Sequence, residues 1–260
     1  MDAISTQTLQ QFLDIGVYTF LLVFVRIGTA LMLLPGFGDT YTPTNIRLYT
    51  ALAISLVLFP ALKTYMPPEV PGTFAFFMLI IAEFMIGAFI GIVSRILLLA
   101  LDTAGMVISM QAGLANAQIF NPQLSSQASI TGTFFLISGV MLIFATDLHH
   151  FLIAGMVNSY KMFPVGEIPD SGSMAQIVTR AVASAFYAGI HIAAPFIVIT
   201  LLLYIGMGVL SRLMPQLQIF LLGVSVQLIL SFLILAATMS AGLAYWLGFY
   251  QNGLNFFFSG

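Results

Sequence analysis

The sequence has no cysteine and a single tryptophan, and its 260 residues include only 7 Lys or Arg and 9 Asp or Glu. Each scarcity excludes something. Without thiols there is no disulfide, thiolate metal site, iron–sulfur cluster or cysteine nucleophile. Soluble domains carry roughly a quarter charged residues. Here 6% are charged and 60% hydrophobic, so too little polar surface exists to cover a water-soluble fold of this length. Lipid or partner subunits must cover the exterior. A net charge of −2 with no basic run leaves no electrostatic footprint for nucleic acid. The stretch Met1–Asp14 lacks Lys and Arg, so no cleavable signal peptide with a cationic start is expected.

Catalytic motifs are equally scarce. No phosphate-binding Gly-x-x-x-x-Gly-Lys-Ser/Thr or Gly-x-Gly-x-x-Gly loop occurs, so ATP or GTP hydrolysis is not expected. A serine nucleophile elbow would read Gly-x-Ser-x-Gly. Gly223-Val224-Ser225-Val226-Gln227 fails at its last position and Thr238-Met239-Ser240-Ala241-Gly242 at its first. Asp147-Leu148-His149-His150 is the one run resembling a metal site. On a helix Asp147 and His150 share a face while His149 points about 100° away. Zinc needs three or four ligands, and His191 lies far along the chain. A polar cluster at a helix end is the expectation. The chain is therefore expected to carry no catalytic residue, no cofactor and no metal.

What is present is apolar length. Runs span about Ile15–Leu34, Leu48–Leu62, Phe74–Leu101, Ile130–Thr146, Ala181–Leu210 and Ile219–Phe249. A helix needs ~20 apolar residues to cross a ~30 Å hydrocarbon core. Only helices and closed barrels satisfy their own backbone groups in lipid, and the period-two alternation of a barrel is missing. An all-α, membrane-associated bundle of about six to eight long, partly broken helices follows. Leu48–Leu62 is short for a span, and Pro195 is expected to kink or break the long Ala181–Leu210 run.

Between Asp102 and Ser129 the composition changes: Gln111, Asn116, Gln118, Asn121, Gln123, Ser125, Ser126 and Gln127 occur without any Lys or Arg. Polar, uncharged backbone at membrane depth suits a cavity lining or a protein interior, not lipid. Met106 and Met110 share a helical face beside it, and flexible thioethers can seal an irregular gap. Arg26, Glu83 and Arg95 lie inside apolar runs, and Asp102 closes one. An ionisable group at membrane depth costs about 2.5–3.5 kcal/mol even on translocon scales, so it faces a partner or water. Glu83 and Arg95 are too far apart to pair on one helix. Two readings stay open: inter-helix or inter-subunit ion pairs, or the ion path of a small secondary transporter using Glu83 and Arg26. No inverted repeat, common in such transporters, is visible.

Several features recur in a characteristic order. They are Arg26-Ile27-Gly28, Leu34-Pro35-Gly36-Phe37-Gly38, Pro43 and Arg47; then Glu83, Gly87 and Gly91; then Gly105, Gln111, Gly113, Ala117 and Asn121-Pro122. His149-His150, Ser159, Pro164 and Gly166 follow, then Ala194-Pro195 and Arg212-Leu213-Met214-Pro215-Gln216-Leu217-Gln218-Ile219-Phe220. In this order the chain resembles the type III secretion export-gate family (FliR/SctT type) over nearly its whole length. The family's central loop more often ends Asp-Pro, where this chain has Asn121-Pro122.

The resemblance implies one export-gate subunit over residues 1–260. It would assemble with FliP and FliQ, and beside FlhB and FlhA, into a hetero-oligomeric pseudo-helical ring in the bacterial inner membrane, at the flagellar basal body. Unfolded flagellar proteins would pass through, with energy supplied elsewhere. It also implies a pore-plug loop at about residues 105–122, involving Met106, Met110, Gln111, Gly113, Asn116, Gln118, Phe120, Asn121 and Pro122. Polar contacts between helices or subunits are expected at Arg26, Glu83, Arg95, Asp102 and Arg212.

Overall fold

A backbone amide in hydrocarbon has no water to bond, so an apolar chain closes its hydrogen bonds within helices. The computed structural model describes residues 2–67, 72–114, 129–167, 170–214 and 219–258. These form seven α-helices: α1 (Asp2–Leu33), α2 (Thr44–Leu62), α3 (Thr73–Gln111), α4 (Ile130–Ala145), α5 (Leu148–Met162), α6 (Ser171–Leu213) and α7 (Ile219–Phe258). A 3-10 turn, Lys63–Tyr65, follows α2, and no strand occurs among the described residues. Five helices are long and apolar enough to cross a membrane, six if α4 and α5 count as one broken span.

The helices follow the apolar runs, with three informative differences. First, α5 was not marked by any apolar run. It is amphipathic: Leu148, Leu152, Gly155, Met156, Ser159 and Tyr160 are buried at helical spacing while Asn158 and Lys161 interrupt the apolar sequence, so its signal is periodicity and not mean hydropathy. Second, α6 runs through Pro195 without interruption, against the expected break. Proline removes one backbone donor, and a long membrane helix tolerates the loss when neighbouring groups re-satisfy the freed carbonyl. The break falls instead at Thr146-Asp147, where Asp147 adopts φ 57°. Third, α3 continues ten residues beyond Leu101, as described with the site below.

The chain divides into two compact units, Met1–Arg95 with Asp147–Arg180 and Leu254–Gly260, and Ile96–Thr146 with Ala181–Gly253. In the first, α1 buries Leu22, Val23, Ile27, Ala30 and Leu31, and α3 buries Ile86, Ile90 and Val93. Gly87 and Gly91 let these two helices touch: a Cβ on Gly87 would collide with the Arg26 carbonyl, and one on Gly91 would lie 2.5 Å from Leu33 Cβ. This is the close approach that small residues spaced by four allow, and in lipid it supplies the van der Waals contact that drives helix pairing.

In the second unit glycines play the same part. A Cβ on Gly105 would strike the Gly132 backbone, joining α3 to α4, and one on Gly189 would meet the Ala100 carbonyl at 2.8 Å, joining α6 to α3. Trp246, fully buried on α7, donates its indole N–H to the Leu97 carbonyl at 3.2 Å.

Because backbone cannot yield as a side chain does, Gly87→Ala is expected to destabilise the detergent-solubilised protein by roughly 1–3 kcal/mol. Gly206→Ala, with open space around its Cβ, should be neutral or stabilising through helix propensity. Thermal unfolding of the two variants side by side checks this, and equal shifts would refute the α1–α3 contact.

Candidate functional site

Among the described residues, Arg26 and Glu83 are the deepest charges in the first unit, 1% and 0% exposed. Arg26 on α1 donates through Nε to Glu83 Oε2 at 2.5 Å and through Nη2 to Oε1 at 2.8 Å. Its Nη1 donates to the Phe163 carbonyl at 3.0 Å and, more weakly, to the Ser159 carbonyl at 3.3 Å. The guanidinium lies 4.0 Å from the centre of the Tyr160 ring. Bidentate pairing and a stacked aromatic are what a planar guanidinium offers and an ammonium does not. Both Glu83 oxygens are engaged, so the group ties α1, α3 and the end of α5 together as a clamp. An ion path would need a carboxylate free to exchange its partner.

Arg95, on the same helix as Glu83, reaches another partner. Its Nη2 lies 3.0 Å from Asp39 Oδ1 in the α1–α2 loop. The other Asp39 oxygen accepts from the Gly36 amide at 2.7 Å and from the Tyr41 hydroxyl at 2.5 Å. Desolvation, with the Asp39 hydrogen bond and charge, holds the Tyr41 hydroxyl well above its usual range, so it stays a donor. Gly36 sits at φ 82°, a backbone region glycine enters at little cost. Asp102 lies against α4, its Oδ1 2.5 Å from where a Cβ on Gly132 would be. Arg212 is exposed in the last turn of α6, where a cation complements the helix dipole.

The exit of α3 differs from the expected loop. Residues Gly105–Gln111 are helical. The cause is periodicity: Leu101, Ala104, Ile108, Ser109 and Ala112 are buried, so one face continues inward although polar residues accumulate. The helix ends in a Schellman motif. Gly113 takes φ 74°, its amide donates to the Met110 carbonyl at 3.2 Å, and the Leu114 amide donates to the Ser109 carbonyl at 3.1 Å.

Met106 and Met110, one turn apart, are both exposed. Of the remaining plug candidates, Gln111 and Gly113 stand at this helix end, while Asn116, Gln118, Phe120, Asn121 and Pro122 lie outside the described residues.

Sequence reasoning missed the groups around Gln111. Its carbonyl accepts from Gln227 Nε2 on α7 at 2.6 Å and from Thr200 Oγ1 on α6 at 3.4 Å. Gln227 Nε2 also donates to the Tyr204 hydroxyl at 3.2 Å. Gln227 and Thr200 are each 4% exposed. The signal in the sequence is that Gln227 interrupts an apolar run.

The Asp147 cluster also differs from expectation. The left-handed conformation of Asp147 takes it off the helical geometry assumed for it, and it makes no side-chain capping bond to α5. Its Oδ1 lies 3.6 Å from His150 Nδ1, the His149 and His150 rings are 4.1 Å apart, and ligand atoms of all three residues fall within 4.8 Å of one another. His149 is thus brought to the other two and not turned away. The set offers three donors at a surface where solvent would have to complete any coordination sphere.

The sequence family described as bacterial export proteins, family 1, matches residues 17–253. Similar curated proteins include the flagellar biosynthetic protein FliR of Caulobacter vibrioides, 37% identical over 93% of this chain and 96% of its own length. The protein of that name from Escherichia coli is 26% identical over 91% of this chain and 88% of its own. The one from Bacillus subtilis is 25% identical over 85% and 86%.

Removing one member of a buried ion pair strands the other, at a cost of about 3–5 kcal/mol. Glu83→Leu or Arg26→Met alone should therefore unfold the purified protein at markedly lower temperature, while the double variant recovers most of the loss. Additive single effects in that double-mutant cycle would refute the clamp.

Proposed function

The chain belongs to the bacterial export proteins of family 1, and on that premise we propose that it is a non-enzymatic subunit of the flagellar type III export gate. It assembles with FliP and FliQ, next to FlhB and FlhA, into a pseudo-helical ring in the bacterial inner membrane at the flagellar basal body. Unfolded flagellar proteins leave the cytoplasm through that ring. The observation that carries this reading is the likeness to a flagellar biosynthetic FliR protein along 93% of the chain.

Two features of the chain support it. The apolar spans of α2, α6 and α7 have only 17%, 22% and 17% of their residues buried, leaving long faces for lipid or sister subunits. The charges are spent on internal ties, Arg26 to Glu83 and Arg95 to Asp39, which suits a scaffold more than a carrier. Within the channel, residues from about 105 to 122 form the plug. Met106 and Met110 present flexible apolar side chains at the α3 exit, and such side chains at an apolar constriction can close a conduit to small ions.

Two measurements test this. Mass analysis after gentle-detergent purification should show a stable hetero-oligomer, and a monomer or homodimer would sink the export-gate reading. Deleting residues 106 to 122 should make cells permeable to ions or small solutes, whereas unchanged permeability with the complex assembled would sink the plug.

A further inference from the structure

Resting on that plug reading, we propose that Gln227, backed by Thr200, is the positioning residue that fastens the outgoing end of α3 and thereby sets the closed state of the conduit. The last carbonyls of any helix need partners from outside its own ladder. At the α3 exit the backbone provides for Ser109 and Met110 through Leu114 and Gly113. The Gln111 carbonyl is held differently, by side chains from two other helices, Gln227 of α7 and Thr200 of α6. It is the last residue of α3, so whatever holds it also fixes where the following polar segment begins.

The dependence is mutual. Gln227 is 4% exposed in an apolar helix, so its amide protons have no solvent to turn to if the Gln111 carbonyl moves away. A buried donor left without an acceptor bears its full desolvation penalty. Tyr204 takes one of its bonds at 3.2 Å, which orients the amide toward α3. Ser231, one helical turn beyond Gln227, and Ser109, half a turn before Gln111, are also buried, so a polar patch surrounds the contact inside otherwise apolar walls.

Yet the holding bonds are few. Interhelical hydrogen bonds in membranes are individually modest, so this fastening is firm enough to bias one position and weak enough for an entering polypeptide to displace. Helix packing on glycine contacts, such as Gly105 against Gly132, would remain while the α3 terminus releases.

The test uses the assembled export gate in its own membrane, with small-solute permeability and the mass of the extracted complex read together. Gln227→Met keeps the side chain's length and removes its donors. It should raise permeability about threefold, the factor expected from losing one interhelical hydrogen bond, with the complex assembled at its usual yield. Thr200→Val should give a smaller rise. Gln227→Met added to the 106–122 deletion should change nothing further.

Normal permeability in assembled Gln227→Met, while the deletion leaks, would overturn the latch and leave the plug standing. A deletion that does not leak would remove the plug reading and this proposal with it. Loss of assembly in Gln227→Met, Thr200→Val and the shortened Gln227→Asn alike would make the contact purely structural and also overturn it.

Discussion

Hydrocarbon offers no hydrogen-bonding partner, and most polar groups this chain takes into its apolar spans find theirs within the protein, the buried Tyr18 and Tyr160 hydroxyls being exceptions. That constraint explains features that otherwise look unrelated. The Arg26 guanidinium is shared among a carboxylate, two carbonyls and an aromatic face. The Trp246 indole bonds a helix carbonyl, and Ser55, Ser138 and Thr103 return their hydroxyls to carbonyls of the preceding turn. Where a helix must end inside the protein, as α3 does, backbone and side chains are recruited to cap it.

The same medium removes the ordinary reason for helices to associate, because lipid tails are as apolar as leucine. Close contact then has to come from shape. Gly87 and Gly91 against α1, and Gly105 and Gly189 on the two flanks of α3, bring backbones together where any larger residue would separate them. The latter half of α6, where Gly206 and Gly208 have open space beside them, is among the most exposed stretches of the described residues.

Apolar length was enough to place six of the seven helices, because a span long enough for a membrane leaves a run that composition alone reveals. It failed where burial is one-sided. The helix Leu148–Met162 carries a buried stripe under polar residues, and the extension of α3 to Gln111 carries Ala104, Ile108 and Ala112 inward through a polar sequence. Charge was legible as an obligation to pair, but the partners were not. Asp39 for Arg95, and the Ser159 and Phe163 carbonyls for Arg26, are set by tertiary contact across 56 or more residues. Asp147 was misjudged because an i, i+3 argument presumes helical dihedrals, and this residue has φ 57°. Gln227 escaped because a neutral amide raises no alarm in a hydropathy profile, although its burial obliges a partner as surely as a charge does.

Trp246 is the only indole in the chain, and it lies dry against Leu97 with its N–H bonded and Tyr250 5.1 Å away. The protein therefore contains one intrinsic fluorophore of its kind, set where α7 meets α3. Its emission wavelength and quenching report the packing of that contact alone, without a label. Because no thiol competes for chemistry, a single introduced cysteine could carry an acceptor dye, turning distances from this indole into a ruler for motions of the protein at work.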